Sequence, residues 1–288
     1  MKQIVVVDGS PPSVFAEHRK VLDGVAVHVP PDPHIAGTNG KVRGVLTGLQ
    51  FATQPYIVVA DDDVRYENAA LERTLAALER ADVVRPQNYF EPLPWHAILD
   101  TSRTLINRAL DGDWPGTLAF RAQALPRGYD ANVLFENLEL VRTIRAQGGR
   151  EIVARRIYVR RLSPSSAHFL SQRIRQAYDE FARPLRLASA LTVLPVLAGC
   201  IAAHNWQIPV TLAGLAMAAA GIGFARAGGA QYFPIAAVFT APLWVCERAI
   251  CAWLAVGSRV CFGGMRYSGT VVTRAATPTR LLQRAWQR

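Results

Sequence analysis

The chain has 288 residues, 50% hydrophobic and only 19% charged, with 32 Lys+Arg against 22 Asp+Glu for a net charge of +10. That composition excludes a disordered or low-complexity polypeptide, and a mean hydropathy of +0.12 points toward membrane segments. Up to Arg183 the chain carries 23 basic and 21 acidic residues, whereas from Pro184 onward 9 Arg face the single acid Glu247 among long apolar runs, so no nucleic-acid partner is expected.

From Gln3 to about Arg183 short apolar runs alternate with segments of helical period. Ile4 to Val7, Val25 to Val29, Tyr56 to Ala60 and Asp82 to Val84 read as strands, and Lys41 to Ala52 and Asn68 to Arg80 as helices. This alternation predicts an α/β domain over residues 1–183, with a parallel or mostly parallel sheet flanked by helices. In such sheets the site lies at the carboxyl ends of strands. Asp8 ends the first run, and Asp61, Asp62 and Asp63 end another.

The pattern then changes. Spans of about 187–203 and 206–225 are apolar throughout, close to the roughly 20 residues needed to cross a bilayer core. A third apolar stretch, 232–256, contains Pro234, Pro242 and the pair Glu247–Arg248; a kinked re-entrant or interfacial element is favoured over a third span. Arg173, Arg175, Arg183 and Arg186 precede the hairpin and Arg226 follows it, which by the positive-inside rule puts the first domain in the cytoplasm. The expectation is a multi-pass protein of the plasma (inner) membrane, with a membrane region over 184–258 and a basic cytoplasmic or interfacial tail over 259–288. In the tail, Arg280, Arg284 and Arg288 fall on one helical face and Leu281, Leu282, Ala285 and Trp286 largely on the other, as in a membrane-surface helix. Cys200, Cys246, Cys251 and Cys261 lie in or beside the apolar segments and form neither a zinc-ligand spacing nor a disulfide framework in the polar part.

A buried strand ending in three consecutive carboxylates requires a positive partner. On an extended backbone Asp61 and Asp63 point to the same side, so together they suit one hard cation, Mg2+ or Mn2+, whose remaining ligands include substrate phosphate oxygens. A solvated acidic turn is the alternative. Lys41 opens a helix after Asn39–Gly40, where its charge and the helix dipole suit a diphosphate.

The series VVVDGS (Val5 to Ser10), NGKVRGVLTGLQFA (Asn39 to Ala52) and VVADDD (Val58 to Asp63) resembles the family 2 glycosyltransferases, whose catalytic domain has the GT-A nucleotide-sugar-binding fold. PGTLAFRAQAL (Pro115 to Leu125), GYD (Gly128 to Asp130) and LFENLELVRTIRAQGG (Leu134 to Gly149) are similar to the family's acceptor-side segments. The resemblance implies a metal-dependent, inverting transfer of a sugar from a nucleoside diphosphate. It puts Asp8, Lys41, Asp61, Asp62, Gln172 and Arg175 at the donor, the metal on Asp61 and Asp63, and Gly116 and Thr117 on the acceptor side. Trp95, beside Pro94 in PLPWHA, is a separate acceptor-side candidate for stacking on a sugar, with plain packing as the alternative. Gln172 and Arg175 match the spacing of a "QxxRW" motif in the membrane-bound branch, which includes ceramide glucosyltransferase-like and polysaccharide synthase-like enzymes; Gln176 replaces its Trp. GGMRYSGTVV (Gly263 to Val272) is similar to a cytoplasmic segment that follows the membrane helices in that branch.

Two departures stand out. Family members open with a further apolar strand before the VVVDGS-like one. The family's catalytic Asp position is occupied here by Asn137, which cannot take up a proton, so the base role falls to Glu136, with Glu139 one turn on as second choice. A site beside a membrane hairpin makes a lipid or lipid-linked acceptor the expected partner. A non-catalytic nucleotide-sugar-binding scaffold and a processive polysaccharide synthase are the alternatives, and two or three spans offer little material for a polymer channel.

Overall fold

The computed structural model describes residues 3–267 and 269–287; Arg288, the last basic residue of the expected tail helix, lies outside the described residues. In chain order the elements are β1 (Val5–Val7), α1 (Pro12–Leu22), β2 (Val27–Val29), α2 (Gly40–Phe51), β3 (Tyr56–Ala60), β4 (Val64–Arg65) and α3 (Asn68–Ala77). There follow β5 (Val83–Phe90), α4 (Trp95–Leu110), β6 (Thr117–Arg121), α5 (Glu136–Ala146), β7 (Glu151–Arg161) and α6 (Ser166–Tyr178). The C-terminal part holds α7 (Pro184–Ala202), α8 (Gln207–Ala225), α9 (Ala236–Phe239), α10 (Ala241–Phe262), β8 (Met265–Tyr267), β9 (Thr270–Val272) and α11 (Thr279–Trp286).

The α/β domain followed by a helical region is as expected, but the sheet is mixed rather than mostly parallel. Its order is β3-β6-β5-β7-β4, and only β5 and β7 run parallel. The reason is β6, which returns between β3 and β5 and is antiparallel to both. Its apolar residues are buried on both faces, so its sequence reads like that of a parallel strand and carries no mark of direction. Pro86 sits in β5 where the register against β7 shifts, as befits a residue without a backbone donor.

β1 and β2 form a separate parallel pair. Among the described residues β1 and β3 do not pair with each other, and both line one cavity of about 1630 Å³. The bonds Asp61 N–H to Gly116 O and Ala122 N–H to Pro55 O fix the odd-numbered residues of β3 toward β6. Tyr56, Val58 and Ala60 therefore turn their backbone polar groups to the cavity. All five residues of β3 remain only partly buried or exposed.

α7 and α8 are each long and apolar enough to cross a membrane by length and composition, with 6% and 11% of their apolar windows buried. Both ends of this hairpin sit on the domain: Arg186 Nη2 donates to Asn107 Oδ1 at 2.9 Å, and Arg108 Nε donates to Gly223 O at 3.1 Å. A Cβ on Gly223 would fall 1.9 Å from Leu105 O, so glycine permits α8 to touch the backbone of α4. The third apolar stretch breaks at Thr240 between α9 and α10. α10 is held against α6 by Arg173 and Glu247, whose nearest atoms lie 2.6 Å apart. The tail helix α11 forms with Leu281 exposed, while Arg127 lies 4.9 Å from the ring of Trp286.

Candidate functional site

The cavity is built at the end of β3 by three local devices. Asn39 caps α2, its side chain accepting from the N–H groups of Lys41 and Val42, and this puts Lys41 in the first turn. α5 begins at Glu136, so that carboxylate also lies in a helical first turn, where the dipole favours its charge. Asp61 N–H donates to Gly116 O at 2.8 Å, which fixes the point where the strand ends.

These devices bring Lys41, Asp61 and Glu136 together across 95 residues of sequence. Lys41 Nζ lies 2.6 Å from Asp61 Oδ1 and 2.7 Å from Glu136 Oε1. Arg175 approaches the other oxygen of Glu136 at 3.6 Å and takes a 3.2 Å bond to Gln172 Oε1. Burial alone would raise the Glu136 carboxyl, but Lys41 and Arg175 outweigh it and hold it below the usual range. The same two carboxylates outweigh burial at Lys41 and push its ammonium above its ordinary value.

Asp63 is half-buried, and burial raises its carboxyl, opposed by Arg161, whose Nε lies 2.7 Å from Oδ2. Arg161 Nη2 also lies 3.5 Å from Asp61 Oδ2. Asp63 Oδ1 is buried with no hydrogen-bond partner, an open acceptor on the carboxylate expected to hold a cation. Among the described residues no three His, Cys, Asp or Glu side chains converge on one point. The residues thus fit a cation that shares two carboxylates with phosphate oxygens, and not a closed protein cage. Asp62 is exposed and lines the same cavity.

Gly116 belongs here for a steric reason: a Cβ would lie 2.7 Å from Asp61 Oδ2 and 3.2 Å from Arg161 Cζ. Thr117 is turned away, donating to Val59 O at 2.7 Å. Asn137 donates to Pro115 O at 2.9 Å and braces the loop before Gly116.

Three expected residues stand elsewhere. Asp8 does not line the cavity; its carboxylate accepts from Ser10 N–H and meets His18 at 2.8 Å and His28 at 3.1 Å, contacts that outweigh burial and hold it far below the usual range. Glu139 is 0% exposed, pushed up by burial, and its Oε2 accepts from Thr277 N–H, tying the tail to α5. Trp95 is 63% exposed, packs edge-on against His96 and Phe169, and does not line the cavity.

Residues the sequence reading passed over include Arg161, Asp179 and Tyr267, all lining the cavity. Arg161 ends the basic strand β7 directly opposite Val64, a pairing invisible in the sequence. Burial and the Glu136 charge raise the Asp179 carboxyl to about 7, against the pull of Arg175. Tyr267, on the β8–β9 hairpin, lies 4.7 Å under the Arg175 guanidinium and brings the GGMRYSGTVV segment to the site.

Residues 3–126 match the family model described as glycosyl transferase family 2. No curated protein sequence matches the chain. Among solved structures the chain is similar to the mannosyltransferase PcManGT from Pyrobaculum calidifontis in complex with GDP-Man and Mn2+, at 19% identity and a TM-score of 0.48, over 87% of this chain and 77% of that one. The α/β domain with its mixed sheet is followed by the apolar helices α7 and α8.

Proposed function

We propose that this chain, which over residues 3–126 belongs to glycosyl transferase family 2, moves a sugar with inversion from a nucleoside diphosphate to a membrane-associated lipid or lipid-linked acceptor. The observation that carries the reading is the Asp61–Lys41–Glu136 chain of contacts with Asp63 beside it, which gathers an ammonium and three carboxylates in one cavity.

Asp61 and Asp63 would hold Mg2+ or Mn2+, which supplies Lewis-acid neutralisation of the departing diphosphate. Lys41, whose ammonium lies between Asp61 and Glu136, would bind phosphate oxygens and offset their growing charge. Arg175, steered by Gln172, adds a second cation on the same side. Glu136 accepts the proton of the acceptor hydroxyl; its low basicity in the free protein rises once Lys41 turns to the diphosphate. Attack from the face opposite the diphosphate inverts the anomeric centre. α7 and α8 cross the bilayer with the domain and the tail on the cytoplasmic face, and α10 lies at the boundary.

A second reading, a nucleotide-sugar-binding subunit without turnover, is favoured by one observation: both oxygens of Glu136 already face cations. Nucleoside diphosphate release by the full chain in nanodiscs, with Mn2+ and a panel of nucleotide sugars, separates the two. Release that is lost in Asp63→Asn and Glu136→Gln supports the transferase. A donor that binds but is not cleaved, with every acceptor lipid offered, supports the binding subunit.

A further inference from the structure

We propose that Arg161 stands in for the cation at the strand-end carboxylates and couples metal to donor: its guanidinium bridges Asp61 and Asp63 in the free protein and passes to the phosphates when a nucleoside diphosphate binds. The proposal rests on the transferase reading and gives a positioning role to a residue outside the expected set.

Three of the four oxygens on these two carboxylates face a cation of the protein itself. Asp61 Oδ1 lies 2.6 Å from Lys41 Nζ, Asp61 Oδ2 lies 3.5 Å from Arg161 Nη2, and Asp63 Oδ2 accepts from Arg161 Nε at 2.7 Å. The fourth, Asp63 Oδ1, is buried without a hydrogen-bond partner. A divalent cation that takes one oxygen from each side chain therefore meets, at Asp61, an oxygen that a positive group already faces. Repulsion at such separations makes metal and guanidinium compete. Lys41 touches Asp61 and not Asp63, so Arg161 is the group among the described residues that reaches both.

The backbone of Arg161 is anchored while its side chain has room to turn. The residue pairs with Val64 between β7 and β4, Glu91 N–H donates to its carbonyl at 3.0 Å, and Leu162 N–H donates to Asp63 O at 2.8 Å. Guanidinium and Asp63 are thus built on one hydrogen-bonded edge. Gly116 leaves space where a Cβ would lie 3.2 Å from Cζ, and the side chain is 27% exposed and lines the cavity. A guanidinium fork suits phosphate oxygens as well as carboxylates. A diphosphate entering the cavity offers Arg161 a second anionic partner, and its transfer frees one oxygen on each Asp for the metal. Each ligand improves the site for the other, and by linkage the two enhancements are equal.

Mn2+ binding tests this without turnover, because the paramagnetic resonance signal of free Mn2+ falls as the ion is bound. The full chain in detergent is titrated with Mn2+ alone and with saturating GDP, UDP, ADP or dTDP. The expected result is that Arg161→Gln binds Mn2+ alone at least about tenfold more tightly than the parent. With a bound nucleotide the two proteins agree within about twofold, so the enhancement of Mn2+ affinity by nucleotide falls about tenfold in the variant. A structural arginine gives the opposite sign, since loosened carboxylates hold metal less well. Unchanged or weaker Mn2+ binding by Arg161→Gln in the absence of nucleotide therefore overturns the proposal. Where Arg161→Gln melts well below the parent, Arg161→Lys decides in its place: it keeps the charge and loses the fork, and about threefold tighter Mn2+ binding supports the proposal, whereas none overturns it. Nucleotide binding by the parent in those cases leaves the transferase reading standing; failure of the parent to bind any of the four nucleotides with Mn2+ is the failure of that reading.

Discussion

Replacing Lys41 with Met removes the one group among the described residues that touches both Asp61 and Glu136. At separations of 2.6 and 2.7 Å each attraction is about 6 kcal/mol at an effective dielectric near 20. Desolvation offsets much of this, and breaking one partner of such a pair costs about 3–5 kcal/mol. The Lys41 side chain is 27% exposed, which puts the loss at the lower end of that range. The loss depends on pH. The depressed Glu136 carboxyl contributes stability that is present above its unfolded value of 4.5 and disappears as pH falls through the lower folded value. The gap in stability between parent and Lys41→Met should therefore be largest near neutrality and close on acidification below about 4.5. In nucleoside diphosphate release, loss of a cation aimed at the leaving group should lower kcat/KM by about 10²–10³-fold. Guanidinium unfolding at pH 7 and pH 4, alongside steady-state kinetics, measures both. A fall in kcat/KM of under about threefold, with a stability gap that does not change with pH, would refute the reasoning and mark Lys41 as a solvated surface residue.

Three further substitutions probe other parts of the architecture. Gly116→Ala puts a methyl 2.7 Å from Asp61 Oδ2, and displacing that carboxylate should weaken Mn2+-dependent nucleotide binding by about tenfold or more while leaving the unfolding temperature nearly unchanged, as calorimetric titration can show. Asp179→Asn removes a buried carboxyl raised to about 7; since the parent loses stability as pH rises from 3.8 through that value, the variant should be the more stable at pH 8, and equal melting curves at pH 5 and pH 8 for both proteins would contradict this. Gly223→Ala drives a Cβ to 1.9 Å from Leu105 O and should cost about 1–3 kcal/mol by forcing α8 from α4, seen as a lowered midpoint in thermal unfolding of the nanodisc-embedded chain.

Much of the fold was legible because its signals are local. The strand–Asp and strand–Asp-Asp-Asp runs, the helix that opens at Lys41 and the two uniform apolar helices are written in neighbouring residues, and they appear within three residues of the expected bounds. The positions of the strand-end carboxylates and of Lys41 were legible for the same reason, since each sits at the end of an element that its own sequence defines. Glu139 and Asp8 went elsewhere for reasons no spacing carries. At Glu139 the tail folds back and donates a backbone N–H, while two histidines 10 and 20 residues away claim Asp8.

What the sequence alone determined, then, is the α/β class, the apolar hairpin after residue 183 and the acidic strand end, because hydrophobic period and charge order act over a few residues. Strand direction in the sheet, the joining of Lys41 to Glu136 and the placing of Arg161 against Asp63 were decided only in three dimensions. Each depends on which distant backbone arrives beside it, and a buried charge acquires or lacks its partner only when the chain has closed around it.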